Sequence, residues 1–182
     1  AIFTYIADGI SVLRPSVVVL ENVAAIAGFA HGRGGGLDVV GSLTGLGYGC
    51  RWGVVRASDA GAPHRRARWF CVATYPDGPG RGKQRGAVPV GTQQRPAERG
   101  RSQTQWGQFT PTIERWERTL GRPAPAPTDD GKLSSSFVEF LMGLPNNHIT
   151  GIGLSRVAEL KALGNGVVPA QGYLALELLH DT

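Results

Sequence analysis

The sequence predicts an α/β fold, in which helices cover a sheet, from patterns near its N-terminus. Apolar residues recur at helical spacing over residues 2–13, and Arg14-Pro15 then ends the helix. The apolar run at residues 17–20, rich in β-branched side chains, is typical of a strand that is buried on both faces. Alternation of helical and strand patterns favours a layered architecture of helices on a sheet.

The same alternation continues to about residue 74. A glycine-rich loop at residues 31–36 is followed by a predicted helix, whose apolar side would carry Leu37, Val40, Leu43 and Leu46. Residues 52–57 and 68–73 are predicted to form two strands, separated by a turn around Gly61-Ala62-Pro63.

The composition changes at residue 75. Proline, glycine, glutamine, threonine and arginine dominate as far as residue 131, and residues 76–108 are predicted to be poorly ordered. This stretch is basic, and three of its arginines are expected to contact phosphate groups of an anionic partner: Arg95, Arg99 and Arg101. One helix is expected within it, capped by Thr110 with Pro111 at its first position.

Periodic patterns return after residue 132. Residues 136–139 resemble a capping box at the start of a helix, and Gly143-Leu144-Pro145 ends that helix. Pro169 is expected to begin a last helix that carries Tyr173, Leu174, Leu178 and Leu179. The chain is therefore divided into residues 1–74, 75–131 and 132–182.

Charge and cysteine content limit the class of protein. The 19 basic and 14 acidic residues give a net charge of +5 and a pI of about 9.7, which favours an anionic partner without identifying it. The two cysteines, Cys50 and Cys71, have no metal-binding spacing, which is typical of a reduced, cytoplasmic protein without a metal. Ala1 is not a start methionine, so the chain is expected to be part of a longer product.

A carboxylate and two arginines mark the ends of two predicted strands. Glu21 closes the first apolar run, and Arg66 and Arg68 open the last one. Taken singly, Glu21 suits a turn or helix cap, and the arginines suit a solvated basic turn. Together they favour a shared pocket for a planar, hydrogen-bonding heterocycle such as a nucleobase. We expect Glu21 and Arg68 to be in contact, and Arg66, two residues away on the same strand, to brace them.

Three segments in this order resemble DNA cytosine-5 methyltransferases. The segment PSVVVLENV is similar to the strand with the family's Glu-Asn-Val motif, and ASDAGAPHRRARWFCVA is similar to its Gln-x-Arg-x-Arg segment. The segment LGNGVVPAQ is similar to its closing Gly-Asn motif. The resemblance covers residues 1–74 and 132–182, with residues 75–131 in place of the target recognition region.

The resemblance implies a fold, a cofactor and roles for single residues. It implies part of a Rossmann-like S-adenosylmethionine-dependent methyltransferase core with an inserted small target recognition region, acting on double-stranded DNA. Glu21 would contact cytosine N3, Arg68 would contact both the base and Glu21, and Arg66 would support that site. Asn165 and Gly166 would help to close the S-adenosylmethionine pocket.

The sequence also departs from the family pattern. His64 stands where the family has glutamine, and neither the Pro-Cys motif with its nucleophilic cysteine nor the glycine-rich cofactor motif is present. Cys71 is expected to be inert packing inside a strand, and neither cysteine has the context of a nucleophile. Three hypotheses follow: an enzyme whose missing N-terminal half lies on the same chain or a separate subunit, a non-catalytic DNA-binding accessory subunit, and an inactive remnant.

Overall fold

A computed structural model describes residues 2–28, 35–75 and 106–180. In this part of the chain no helix is both long and apolar enough to cross a membrane. The helices are α1 (Ile2–Leu13), α2 (Gly36–Gly45), α3 (Thr110–Leu120), α4 (Ser135–Leu141), α5 (Arg156–Asn165) and α6 (Pro169–His180). The strands are β1 (Val17–Val23), β2 (Gly49–Arg56), β3 (Ala67–Thr74), β4 (Thr128–Asp129) and β5 (Lys132–Leu133).

The chain divides into two compact units. The first unit comprises Ala1–Arg56, Ala67–Ala87 and Tyr173–Thr182, and the second comprises Ala57–Arg66 and Val88–Gly172. The division into residues 1–74, 75–131 and 132–182 rests on motifs rather than on compactness, and it stays a prediction. Arg95, Arg99 and Arg101 lie outside the described residues, as does most of the stretch expected to be poorly ordered.

The first unit is built on a three-stranded sheet with the order β1-β3-β2. Both outer strands pair antiparallel with β3, so that Glu21 lies opposite Phe70, and Val23 and Val55 lie opposite Arg68. With α1 and α2 beside this sheet, the predicted α/β class is confirmed.

One face of this sheet forms the core of the first unit. Val18, Trp69 and Cys71 point to this face, where they pack with Ile10 of α1 and Leu43 of α2. Because side chains alternate along a strand, Glu21 and Arg68 project from the opposite face. The alternation therefore separates the candidate polar site from the core.

The expectation that β1 is buried on both faces is wrong. Val18 is buried, but Val17 and Val19, which share the face of Glu21, are 43% and 51% exposed. Among the described strands, β1 is hydrogen-bonded only to β3 and lies at an edge of the sheet. A continuous apolar run fits a doubly covered strand, and here only one of the two faces is covered.

The sequence patterns predicted the bounds of the helices better than they predicted which face of each helix is buried. Helices α2 and α6 begin and end close to the predicted residues, but Leu37, Tyr173 and Leu178 are more than half exposed. In α6 the buried residues are Gln171 and Ala175, while Leu174 and Leu179 are partly buried. Apolar spacing located these helices, whereas packing against the neighbouring elements chose which side of each helix is covered.

The second unit packs α3 and α4 around two aromatic rings. Trp116 and Phe140 are buried, and the Trp116 indole Nε1 donates to the Phe140 carbonyl oxygen at 2.9 Å. Gly143 has a φ of 70°, and a Cβ there would lie 2.9 Å from the Trp116 ring. Glycine is therefore required at residue 143 by its backbone conformation and by the close approach of the indole.

The two predicted helix caps in this unit are wrong. The N-cap of α4 is Ser134, whose hydroxyl accepts from the Phe137 amide, so residues 136–139 do not form a capping box. Thr110 is the first residue of α3 rather than its cap, and its hydroxyl donates to the Gly107 carbonyl. In α4 three serines stand side by side at residues 134–136, and the first of them is the cap, whereas in α3 the N-cap position is taken by Phe109, which makes no capping hydrogen bond.

Candidate active site

Glu21 and Arg68 form an ion pair across two strands of the first unit. The Arg68 Nε lies 2.8 Å from the Glu21 Oε1, which confirms the expected contact between these side chains. The pair forms because Glu21 on β1 and Arg68 on β3 are diagonal neighbours on one face of the antiparallel ladder. The strand register therefore fixes both side chains relative to each other.

The pair remains accessible to a ligand. The Arg68 side chain is 13% exposed and the Glu21 side chain is 30% exposed, and the ion pair uses one of the two carboxylate oxygens of Glu21. A carboxyl group accepts from an amino group or, when protonated, donates to a ring nitrogen, while a guanidinium donates to a carbonyl oxygen. Side by side, the two groups complement the polar edge of a pyrimidine ring.

Arg66 has a different setting from the one predicted. Strand β3 begins at Ala67, so the strand alternation that would put Arg66 beside Arg68 does not extend to it. In the second unit its guanidinium Nη2 donates to the Gly164 and Gly166 carbonyl oxygens at 2.5 and 2.6 Å. Arg66 thus binds the turn that contains the Gly-Asn-Gly sequence.

Gln171 extends this arrangement through the backbone of Arg66. Its side-chain Nε2 donates to the Arg66 carbonyl oxygen at 2.9 Å, and the same oxygen accepts from the Ala57 amide. Gln171 is fully buried in the first turn of α6. Its importance was missed from the sequence, where the one available signal was an amide residue two positions after the Gly-Val-Val-Pro run.

We expect replacement of Arg66 by alanine to destabilise the second unit by about 2 kcal/mol, because hydrogen bonds to a charged group contribute about 1.5–3 kcal/mol. Chemical denaturation would measure the change, and hydrogen exchange would report whether amides of residues 164–168 lose protection. Arg65→Ala is the matched control, since Arg65 is adjacent and exposed. Equal effects of the two variants would contradict the assigned role.

Asn165 and Gly166 lie at the C-terminal end of α5. Asn165 is exposed, and the Gly166 amide donates to the Ala162 and Leu163 carbonyl oxygens. Gly166 has a φ of −69°, and the nearest atoms to a Cβ there are 3.6 Å away, so this turn would accept a side chain. The chain's own packing therefore does not require glycine at residue 166.

His64, at the position of the family's glutamine, is half-buried in the second unit. Its Nε2 donates to the Leu141 carbonyl oxygen at 3.0 Å. Burial lowers the pKa of His64, and neighbouring Arg66 lowers it further, while the hydrogen bond to Leu141 opposes both. The ring is therefore neutral at physiological pH and connects the turn at residue 64 to the end of α4.

The two cysteines have the properties of packed thiols. Cys71 is fully buried, and burial raises the pKa of its thiol to about 12, with further contributions from Cys50. Burial also raises the pKa of Cys50, against a smaller opposite effect of its hydrogen bond with Cys71. Neither thiol provides a thiolate near neutral pH, in agreement with the sequence-based interpretation. In the described residues, no cluster of histidine, cysteine and acidic side chains could hold a metal ion.

Comparison with known proteins identifies the family. The sequence model of the C-5 cytosine-specific DNA methylases matches residues 1–120 of the 182 in the chain, a range that includes Glu21, Arg66 and Arg68. The chain belongs to this family. Its members are enzymes that methylate DNA and generally use S-adenosylmethionine.

The chain is also similar to one stretch of a curated methyltransferase. The chain is 40% identical over 65 residues to the Type II methyltransferase M.CviJI of Paramecium bursaria Chlorella virus IL3A. The aligned stretch makes up 35% of this chain and 16% of that protein. The Gly164-Asn165-Gly166 turn lies beyond the residues that the family model matches, and its proposed part in cofactor binding stays a prediction.

Proposed function

We propose that this chain provides the base-binding site of a DNA (cytosine-5-)methyltransferase that acts on double-stranded DNA. The observation that carries the proposal is the Glu21–Arg68 ion pair, with its 2.8 Å separation and partial exposure, inside the range that the family model matches. In the proposed enzyme the two strands belong to a Rossmann-like methyltransferase core. The basic segment with Arg95, Arg99 and Arg101 belongs to its target recognition region, and the enzyme acts in the cytoplasm.

Glu21 and Arg68 would act on the pyrimidine ring in complementary ways. Carbon C5 of cytosine becomes nucleophilic once a thiolate has added to C6, and the added electron pair then places negative charge on N3 and O2. A proton or hydrogen bond from the Glu21 carboxyl group at N3, and hydrogen bonds from Arg68 at O2, would stabilise this charge. Because Arg68 also holds Glu21, both groups are in position before the base arrives.

In the proposed enzyme the thiolate comes from outside these 182 residues. Both cysteines of the chain are packed in the sheet of the first unit with raised pKa values. We infer that a Pro-Cys segment, on the same polypeptide or on a separate subunit, supplies the nucleophile. After methylation, loss of the C5 proton and expulsion of the thiolate would restore the aromatic ring.

S-adenosylmethionine, when bound, would supply the activated methyl group. The described residues suit one wall of its pocket: the exposed Asn165 amide can donate and accept hydrogen bonds at the end of α5. The neighbouring Gly164 and Gly166 carbonyl oxygens already accept from Arg66, which holds the turn rather than the cofactor. The remaining cofactor contacts would come from the segment that carries the nucleophile.

A methyl-transfer assay tests this proposal. The 182 residues alone should transfer no methyl group from labelled S-adenosylmethionine to cytosine-containing DNA. Addition of a Pro-Cys segment, first as a fusion and then as a separate chain, should restore transfer. Cys50→Ser and Cys71→Ser should change neither result.

Two outcomes would contradict the proposal. Methyl transfer by the isolated chain that disappears in Cys50→Ser or Cys71→Ser would make one of these cysteines the nucleophile. Failure of both the fused and the separate Pro-Cys segments to restore transfer, in a chain that is folded by circular dichroism, would favour an inactive remnant.

A further inference from the structure

We propose that a cavity in the second unit binds an unstacked nucleobase of DNA, as a site additional to the Glu21–Arg68 pair. The cavity has a volume of about 340 Å³, within the range of small-ligand pockets. Its wall includes the aromatic residues Trp106, Phe109 and Phe137, together with Pro63 and Pro127. The inference rests on the proposed function only in taking DNA as the partner.

The cavity wall has the flat surfaces that bind a planar ring. Trp106 and Phe137 are stacked, with centroids 5.2 Å apart and an interplanar angle of 15°. Phe137 in turn lies nearly parallel to Phe140, at 6.4 Å and 17°. Phe137 thus lies between two rings, whereas Phe109 also lines the cavity and is 61% exposed, so its ring is accessible to a ligand. Bases of single-stranded nucleic acids bind proteins by stacking on such aromatic side chains.

The polar and charged groups around the cavity favour a nucleotide over an apolar peptide side chain. Thr112 contributes a hydroxyl to the wall, where it can pair with a ring nitrogen or carbonyl oxygen. Arg115 follows one helical turn after Thr112, and Arg65 follows two residues after Pro63, and both are exposed. Glu114, at about 100° per residue, falls on the other side of α3. Exposed Asp129, two residues after Pro127, lies opposite Lys132 of β5, which offsets its charge.

This charge pattern distinguishes two sources of a planar ring. A DNA strand brings phosphates, which Arg65 and Arg115 can contact, whereas S-adenosylmethionine brings an adenine without a phosphate. We therefore assign the cavity to a base of DNA that has left the helical stack, as the duplex opens around the modified cytosine.

Binding of a short labelled single-stranded oligonucleotide to the full chain, followed by fluorescence anisotropy at fixed salt, tests the inference. We expect Phe109→Ala and Phe109→Leu each to raise the Kd by about tenfold, because both remove the aromatic ring. The Phe109 side chain makes no capping hydrogen bond to α3, so both variants should fold. An oligonucleotide with an abasic site at its centre should bind the wild-type chain more weakly than the intact one.

Two controls show whether a change in Kd comes from the cavity. Tyr5→Ala removes a similarly exposed ring from the first unit and should leave the Kd unchanged. The oligonucleotide in all these measurements contains no cytosine, so it has no target base for the Glu21–Arg68 site. Failure of the proposed catalytic function therefore appears in methyl transfer, and failure of the cavity assignment appears in oligonucleotide binding.

Three results would each overturn the inference. The first is an unchanged Kd in Phe109→Leu, which would mean that apolar volume rather than ring stacking matters, or that another part of the chain fills the cavity. The second is equal affinity for the intact and abasic oligonucleotides. The third is displacement of the oligonucleotide by S-adenosylmethionine or adenosine, which would assign the cavity to the cofactor.

Discussion

Glu21→Ala should lower the rate of methyl transfer by roughly 10²–10⁴-fold in the enzyme completed with a Pro-Cys segment, since this is the usual contribution of a positioned acid. The variant removes the carboxyl group that Arg68 holds at 2.8 Å, so negative charge arising at N3 would have no partner there. Single-turnover rates at saturating DNA and S-adenosylmethionine would separate this chemical effect from weaker binding.

Two further variants show whether the effect belongs to the carboxyl group. Glu21→Gln keeps the size and hydrogen bonding of the side chain but removes its acid, and it should also be slow. Glu177→Ala changes an exposed acidic residue on α6 and should retain the wild-type rate. A wild-type rate in Glu21→Ala would exclude the proposed role, whatever the behaviour of the other variants.

Glu139→Leu should destabilise the second unit by about 3–4 kcal/mol, which is a large effect for one substitution. Glu139 is 2% exposed, and its carboxylate accepts from the Asn147, Ile149 and Thr150 amides and from the Thr150 hydroxyl. Leucine matches its volume but leaves these donors without an acceptor, which costs more than the hydrogen bonds themselves. Thermal or urea unfolding would measure the loss.

Because of the same carboxylate, the second unit should lose stability at acidic pH. Burial by itself raises the pKa of Glu139, but the hydrogen bonds from Ile149, Thr150 and Asn147 together outweigh it and hold the pKa below its usual value. A depressed pKa in the folded state contributes stability that is present above the unfolded pKa of about 4.3 and is lost as pH falls through the folded value.

The controls for Glu139 are Glu139→Gln and Glu114→Leu. Glutamine keeps acceptor capacity on one atom only, so this variant should be intermediate in stability and should lose the acid dependence that Glu139 contributes. Glu114 is exposed on α3, and its replacement by leucine should change the stability of the second unit little. Glu139→Leu with wild-type stability at pH 7 would show that loop 145–150 is held by other contacts.

The Glu21–Arg68 contact was predictable because it depends on strand alternation and on an antiparallel register that places the end of the first apolar run beside the start of the last. An acidic residue at the end of one apolar run and an arginine at the start of another become diagonal neighbours as soon as the two strands pair antiparallel. The positions of the helices were predictable for a similar reason, since local periodicity and the glycines and prolines at their ends mark them.

The contacts of Arg66 and Glu139 were not predictable, because they join residues far apart in the sequence. Arg66 donates to carbonyl oxygens about 100 residues away, and no local pattern marks a backbone carbonyl as an acceptor. Glu139 lies in an apolar helix, where its spacing suggested a capping box, yet it binds the amides of the following loop. The exposed face of β1 was also missed, since the same apolar run fits one covered face or two.

The interleaving of the two units has a consequence for synthesis on the ribosome. Strands β1 and β2 each pair only with β3 among the described strands, so neither has a partner until residues 67–74 have left the exit tunnel. The first unit also takes in residues 173–182, where Leu179 of α6 lies 4.0 Å from the position of a Cβ on Gly53. The unit that begins first in translation is thus completed last, after every residue of the second unit has been made.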